Sequence, residues 1–165
     1  MSFSRTFTAL AIALLWLYPG PSAADVVVAR RTPHLSFTAS LSPDAVKAGG
    51  RLSLIVDVVP KKGMHVYAPG TKYRAITVTL NSHRFLKASR LDYPRPSIYV
   101  FKPLKEQVFV YSSPFKLTMD LTVGAVTPRT PPLRLTGTLS YQACDDRVCY
   151  LPESVPLEWT IPVRR

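Results

Sequence analysis

The sequence predicts an all-β protein built as a sandwich of two antiparallel sheets. Sixteen prolines are spread over the 165 residues, which disfavours long helices. Apolar and polar residues alternate with a period of two in several segments, the pattern of a strand that buries one face. Segments rich in proline, glycine and other turn-forming residues separate them, as is typical of a sandwich.

Seven segments carry this alternation and are predicted as strands. The clearest is FKLTMDLTV (115–123), where apolar residues occupy every odd-numbered position. The others lie at 35–41, 52–59, 75–80, 107–111, 133–141 and 155–163. The longest connection, residues 93–106, holds Tyr99, Phe101 and Leu104, an apolar content unusual for a loop that only connects.

Residues 1–24 have the features of a secretory signal peptide. Arg5 precedes an apolar run, FTALAIALLWLY (7–18), which is too short to span a bilayer. Small residues at Ser22 and Ala24 fit cleavage after Ala24. We therefore expect one exported domain over residues 25–165, periplasmic or secreted, without lasting membrane insertion after cleavage.

The chain is strongly basic, with a formal net charge of +11. Cleavage would remove one arginine and no acidic residue, which leaves +10. The basic runs are scattered rather than interleaved with stacking aromatics, so nucleic acid is not an expected partner. A solvated surface or steering toward an acidic protein or an anionic membrane explains the charge.

The only two cysteines, Cys144 and Cys149, lie in YQACDDRVCYLP (141–152). Four intervening residues can close a hairpin that brings two Cα atoms within disulfide range. Closing so short a loop contributes only roughly 2 kcal/mol, so the sandwich should fold without the bond. If the strand that begins at residue 133 alternates regularly as far as Cys144, this cysteine lies on its outward face. A peripheral, dispensable disulfide is typical of one that exchanges with other thiols.

Two other interpretations of the pair stay open. Exported proteins commonly carry local disulfides that only tie a hairpin, so a non-catalytic interaction module is one alternative. A copper(I)-handling protein is another, because thiolates are soft ligands and Met64 and His65 are adjacent. Structural zinc is disfavoured, since none of the three histidines lies near the cysteines in sequence. Thiol–disulfide exchange itself requires no metal or organic cofactor.

Several segments resemble the amino-terminal periplasmic domain of the thiol:disulfide interchange protein DsbD family. YQACDDRVCYLPESVPLEW (141–159) is similar to the cysteine motif of that family. GMHVYAPG (63–70), LDYPRP (91–96) and VFVYSSPFKL (108–117) resemble further family segments in the same order. The resemblance implies an immunoglobulin-like sandwich that acts as a protein-disulfide reductase, in electron relays of the kind used in cytochrome c biogenesis.

The resemblance also implies partners and residue roles. The partners would be periplasmic thioredoxin-like proteins and a membrane electron transporter, supplied in trans because this chain carries no CxxC pair. Cys149 would form the mixed disulfide with partners and Cys144 would resolve it. The family's aromatic cap loop implies Phe101 as the cap, with Leu104 as substitute. Tyr67 and Tyr150 would line the site, although Tyr67 and Phe101 also suit ordinary core positions.

Overall fold

The computed structural model describes residues 27–102 and 105–164. Twelve strands lie in this part of the chain, and all of their pairings are antiparallel. They are β1 (Val27–Arg31), β2 (Leu35–Ser42), β3 (Arg51–Pro60), β4 (His65–Tyr67), β5 (Thr77–Leu80), β6 (Leu86–Ala88), β7 (Ser97–Phe101), β8 (Glu106–Tyr111), β9 (Phe115–Val123), β10 (Leu133–Tyr141), β11 (Ala143–Cys144) and β12 (Glu153–Ile161). Within these residues, no helix has the length and apolar character needed to cross a membrane. The expected signal peptide (1–24) and Leu104 lie outside the described residues.

The strands form three sheets around one main core. A five-stranded sheet has the order β1-β2-β3-β9-β6, a three-stranded sheet the order β12-β10-β5, and a four-stranded sheet the order β11-β4-β8-β7. The apolar positions of β2, β3 and β9 pack with those of β10 and β12. The buried indole N–H of Trp159 on β12 donates to the carbonyl oxygen of Ala39 on β2 at 3.1 Å. This architecture confirms the predicted all-β, immunoglobulin-like sandwich.

The seven predicted strands correspond to β2, β3, β5, β8, β9, β10 and β12. The prediction of residues 93–106 as a connection is wrong in part, because β7 lies inside it and pairs with β8. β7 is an edge strand, and Ile98 and Val100 on its outer face are exposed. The prolines of this segment led to the prediction of a connection. Prolines are, however, tolerated just before an edge strand, so they do not exclude one.

The four-stranded sheet positions the cysteines. Its strands β4, β8 and β11 enclose a second, smaller cluster of buried side chains, separate from the main core: Tyr67, Val108, Val110 and Cys144. The redox-capable sulfurs therefore belong to a satellite of the sandwich rather than to its centre.

Candidate redox site

The chain passes from one sheet to another just before Cys144. β10 pairs with β5 up to Ser140 and with β12 up to Tyr141, whereas Ala143 and Cys144 pair with β4. Gln142 lies at the break, and its side-chain amide donates to the carbonyl oxygen of Tyr150 at 3.0 Å. The predicted outward orientation of Cys144 is wrong for this reason. The strand does not stay regular, and Cys144 is 0% exposed.

The two cysteines are joined by a disulfide across a tight turn. Their Cα atoms are 4.2 Å apart, and the two residues form an antiparallel bridge. Asp145 organises the turn, because its Oδ1 accepts the backbone N–H groups of Arg147 at 2.8 Å and Val148 at 2.7 Å. These two bonds, together with one from the Tyr150 hydroxyl, lower the pKa of the Asp145 carboxyl. The turn thus uses a carboxylate that stays ionised at neutral pH.

The two sulfurs differ in accessibility. Cys144 is completely buried, whereas Cys149 is only partly buried. Cys144 is also held by strand pairing with β4, while Cys149 follows the turn. An attacking thiolate from solvent or from a partner therefore reaches the Cys149 sulfur more readily.

Tyr67 lies against both sulfurs. Its hydroxyl oxygen is 2.9 Å from the Cys144 Sγ and 3.1 Å from the Cys149 Sγ. Burial, with smaller contributions from Tyr73, Glu106 and Tyr99, raises the pKa of Tyr67 to about 12. The phenol therefore keeps its proton at physiological pH and can donate a hydrogen bond to sulfur.

A polar network supports the Tyr67 ring through Tyr73. The Tyr73 ring stacks on it with centroids 4.3 Å apart. The Tyr73 hydroxyl donates to the Glu106 carboxylate at 2.8 Å, and the Lys72 ammonium lies 3.0 Å from the same oxygen. This support fixes where the Tyr67 hydroxyl lies.

The sequence did not predict that Tyr99 and His65 lie beside the disulfide, although His65 was considered as a copper(I) ligand. Tyr99 on β7 packs on the cluster and donates its hydroxyl to the Asp146 carboxylate in the cysteine turn at 2.7 Å. Its ring lies 4.1 Å from that of His65, the direct cross-strand neighbour of Cys144. Both had weak signals: Tyr99 lies in the apolar stretch of 93–106, and His65 precedes Tyr67 by two positions, which places them on one face of a strand.

The other predicted site residues lie in different places. Phe101 is 6% exposed at the end of β7, paired with Glu106, and is not among the described residues that cluster around Cys144. Tyr150 donates its hydroxyl to Asp145 at 2.8 Å and lies 4.3 Å from the His34 ring. It supports the turn rather than facing the sulfurs through its hydroxyl. Capping by Phe101 or Leu104 stays a prediction.

Metal-binding side chains do not converge in the part of the chain that the structure describes. No group of three or more histidine, cysteine or acidic residues there could hold a metal ion. His65 is buried and Met64 is partly buried. The described residues therefore give no support to the copper(I) alternative.

Comparison with known proteins identifies the family. No curated protein sequence matches the chain. A similar solved structure is the N-terminal periplasmic domain of ScsB from Proteus mirabilis, with a TM-score of 0.60 and 16% identity over 84% of this chain and 51% of that one. The present chain thus spans about half the length of that protein. The reduced N-terminal domain of DsbD from Neisseria meningitidis matches with a TM-score of 0.44 and 16% identity over 66% of this chain and 76% of that one.

At 16% identity the likeness to the ScsB domain shows the fold alone, whereas the match to a family model identifies the family. The profile of the family described as thiol:disulfide interchange protein DsbD, N-terminal, matches residues 36–158, most of the chain and both cysteines. The chain belongs to the DsbD N-terminal domain family of thiol–disulfide exchange domains, with Cys144–Cys149 as its disulfide.

Proposed function

We propose that this domain relays electrons from a thiol donor to the disulfides of partner proteins in the periplasm. The observation that carries the proposal is the asymmetry of the Cys144–Cys149 pair. Cys149 is partly exposed, Cys144 is buried, and a single hydroxyl, that of Tyr67, lies within hydrogen-bonding distance of both sulfurs. A disulfide that only ties a hairpin does not need these features.

In the loading step, a donor thiolate attacks the Cys149 sulfur and the S–S bond breaks toward Cys144. Cys144 leaves as a thiolate, and the donor is now joined to Cys149 in a mixed disulfide. A second donor thiol attacks the donor sulfur of that bond, which releases an oxidised donor and a reduced domain. Two electrons and two protons have then moved to the cysteine pair.

In the delivery step, the Cys149 thiolate attacks a disulfide of the partner. One partner sulfur leaves as a thiolate, and the other is bound to Cys149. Cys144 then attacks the Cys149 sulfur, which restores the Cys144–Cys149 bond and releases the partner as a dithiol. This is protein-disulfide reductase chemistry, and it uses only the cysteines of this chain and of its partners.

Tyr67 assists both steps by donating a hydrogen bond to whichever sulfur carries negative charge. Hydrogen bonds to charged acceptors are shorter and stronger than those between neutral groups. Because the pKa of Tyr67 is raised to about 12, the hydroxyl remains a donor over the range in which thiols ionise. Tyr99 packs against this cluster and holds the cysteine turn through Asp146. In the proposed mechanism it acts as a lid that swings away before a folded partner reaches Cys149.

The proposed partners are thioredoxin-like proteins and a membrane electron transporter. The family assignment supports them, since DsbD is a thiol:disulfide interchange protein. The periplasmic location is supported by the ScsB domain, which is described as periplasmic, and by the signal-like sequence of residues 1–24.

Mixed-disulfide trapping tests the proposal. Reduced Cys144→Ala protein, mixed with a thioredoxin-fold protein that keeps a single CxxC cysteine activated as a mixed disulfide with 5-thio-2-nitrobenzoate, should accumulate a covalent adduct and release that thiolate, because neither protein retains a second thiol to break the adduct. The matched control is Cys149→Ala, whose remaining thiol is buried and should give little adduct. Adducts are counted on non-reducing gels and located by mass spectrometry.

Absence of adducts from Cys144→Ala would contradict the relay. It would favour a non-catalytic interaction module with a structural disulfide, for which a reduction potential below about −300 mV is expected. Equal trapping by both variants would contradict the assigned roles of the two cysteines.

A further inference from the structure

His65 is the nearest strand neighbour of the buried sulfur-bearing residue. The β4–β11 register pairs His65 directly with Cys144. Residues opposite one another in an antiparallel pair project their side chains from the same face, with Cβ atoms about 4.5–5.5 Å apart. Both residues are buried, with His65 3% exposed. The imidazole and the Cys144 sulfur therefore lie on the same face of the β4–β11 pair, both buried.

In the disulfide form of the protein, this imidazole has an unsatisfied nitrogen. Its Nε2 is buried and has no hydrogen-bond partner among the described residues. The Tyr99 ring covers one side, and the Tyr67 ring approaches edge-on at 6.5 Å. Burial lowers the pKa of His65, although the carboxylates of Asp146 and Asp145 oppose this, so the ring is neutral at pH 7. A buried polar atom without a partner destabilises the state that contains it.

Reduction supplies the partner that the disulfide form lacks. A disulfide sulfur carries no hydrogen, so it cannot donate to an imidazole nitrogen. When a dithiol reductant transfers two electrons and two protons, the Cys144–Cys149 bond breaks and a disulfide forms in the reductant. Cys144 then bears either an S–H group that can donate to a ring nitrogen or a thiolate that can accept from a ring N–H.

We infer that His65 is the hydrogen-bond partner of the Cys144 sulfur in the reduced protein, and that it thereby shifts the redox equilibrium toward the dithiol. The inference deepens the proposed function and rests on it, since the disulfide must open in the folded domain. The sign follows from the unsatisfied nitrogen of the disulfide form: a hydrogen bond that is gained on reduction stabilises the dithiol alone. His65 thus makes the disulfide a stronger oxidant than the same turn without it.

The test compares His65→Phe with a matched change at His83, which lies in the β5–β6 connection and accepts a hydrogen bond from the backbone of Phe85. Each purified protein is equilibrated with mixtures of reduced and oxidised dithiothreitol, and the two forms are counted by alkylation and mass spectrometry. His65→Phe should favour the disulfide by at least about fivefold, equivalent to about 1 kcal/mol. His83→Phe should leave the equilibrium unchanged.

A second readout separates this role from simple packing. Urea unfolding is measured for both oxidation states of each protein. His65→Phe should lower the stability of the reduced form relative to the oxidised form, whereas a packing residue would change both alike. His65→Gln retains a polar side chain and should return the redox equilibrium part of the way to the wild-type value. It provides a second variant in case phenylalanine does not fit at position 65.

The outcomes distinguish this inference from the proposed function. If the wild-type pair is reduced normally and His65→Phe does not shift the equilibrium, or destabilises both forms equally, the inference is wrong and the relay is unaffected. If the wild-type disulfide cannot be reduced while the protein stays folded, the proposed function fails and the inference fails with it.

Discussion

Replacing Tyr67 with phenylalanine removes one oxygen atom from the centre of the site. The hydroxyl lies 2.9 Å from Cys144 Sγ and 3.1 Å from Cys149 Sγ, while the ring is held by stacking on Tyr73. The substitution keeps the ring and its packing. It therefore isolates the effect of the hydrogen bond on the sulfurs.

The expected magnitude follows from the charge of the acceptor. A hydrogen bond to a charged group contributes about 1.5–3 kcal/mol, and the low end is appropriate for sulfur, a weak acceptor. Losing about 1.5 kcal/mol lowers the thiolate fraction roughly tenfold at neutral pH. The more basic thiolate is intrinsically about threefold more nucleophilic, because nucleophilicity rises with basicity. The net expectation is an exchange rate about three- to fourfold slower at pH 7.

The sign should reverse at high pH. At about pH 10.5, where ordinary thiols are largely ionised, the variant should react up to about threefold faster than the wild type, since only nucleophilicity still differs. The Tyr67 pKa of about 12 means that the wild-type bond persists there. Stopped-flow reaction of the reduced proteins with glutathione disulfide at both pH values measures this.

The matched control is Tyr111→Phe. The Tyr111 hydroxyl is also engaged in a buried region, where it donates to the carbonyl oxygen of Pro94 at 2.8 Å, but it belongs to the main core. Its removal should leave both rates unchanged. Identical rates for Tyr67→Phe and the wild type at pH 7, or a slower variant at both pH values, would refute the reasoning.

Three further predictions concern the lid, the turn and the fold. Tyr99→Phe, which loses the hydroxyl bond to Asp146, should increase the rate of reduction by dithiothreitol roughly two- to tenfold, because the lid opens more easily; an unchanged rate would argue against a lid. Asp145 has a lowered pKa, so its contribution to the turn is present above its ordinary pKa and is lost as the pH falls through the lower folded value. Amide chemical shifts of the turn should therefore be constant from pH 5 to 8 and change only in strong acid, and Asp145→Asn should abolish that change. The double variant Cys144→Ala, Cys149→Ala should unfold cooperatively in urea, with a loss of about 2 kcal/mol in the free energy of unfolding, as expected for so short a loop. A double variant that is unfolded without urea would show that the sandwich requires the disulfide.

The sheets that form the main core were predictable because their strands bury one face only. β9 is the clear case: its apolar positions from Phe115 to Val123 alternate with polar ones, and the observed strand has the same bounds. β7 was not predictable in this way. It is an edge strand whose exposed face also carries apolar residues. Apolar and polar residues therefore do not alternate along it, and the sequence does not show which face is buried.

The site was predictable in its chemistry but not in its orientation. The spacing of Cys144 and Cys149 predicted a local disulfide, and one is present. The outward orientation predicted for Cys144 from strand alternation is wrong because the strand changes hydrogen-bonding partners at Gln142. An alternating sequence pattern gives no sign of such a change. The contacts of Tyr99 and His65 with the site are long-range, and they depend on strand pairings that a single sequence does not reveal.

The change of sheet explains how a buried cysteine can still take part in exchange. Cys144 is fixed by pairing with β4 and lies in the satellite cluster, so its position depends little on the bond to Cys149. Cys149 lies after a turn that is held by Asp145 and joined to β11 by the bond from the Tyr150 N–H to the Ala143 carbonyl oxygen. When the disulfide opens, moving the turn breaks fewer strand pairings than moving Cys144, because Cys144 also pairs with β4. That asymmetry supports the proposed roles, in which Cys149 reaches a partner and Cys144 stays in place to recapture the Cys149 sulfur.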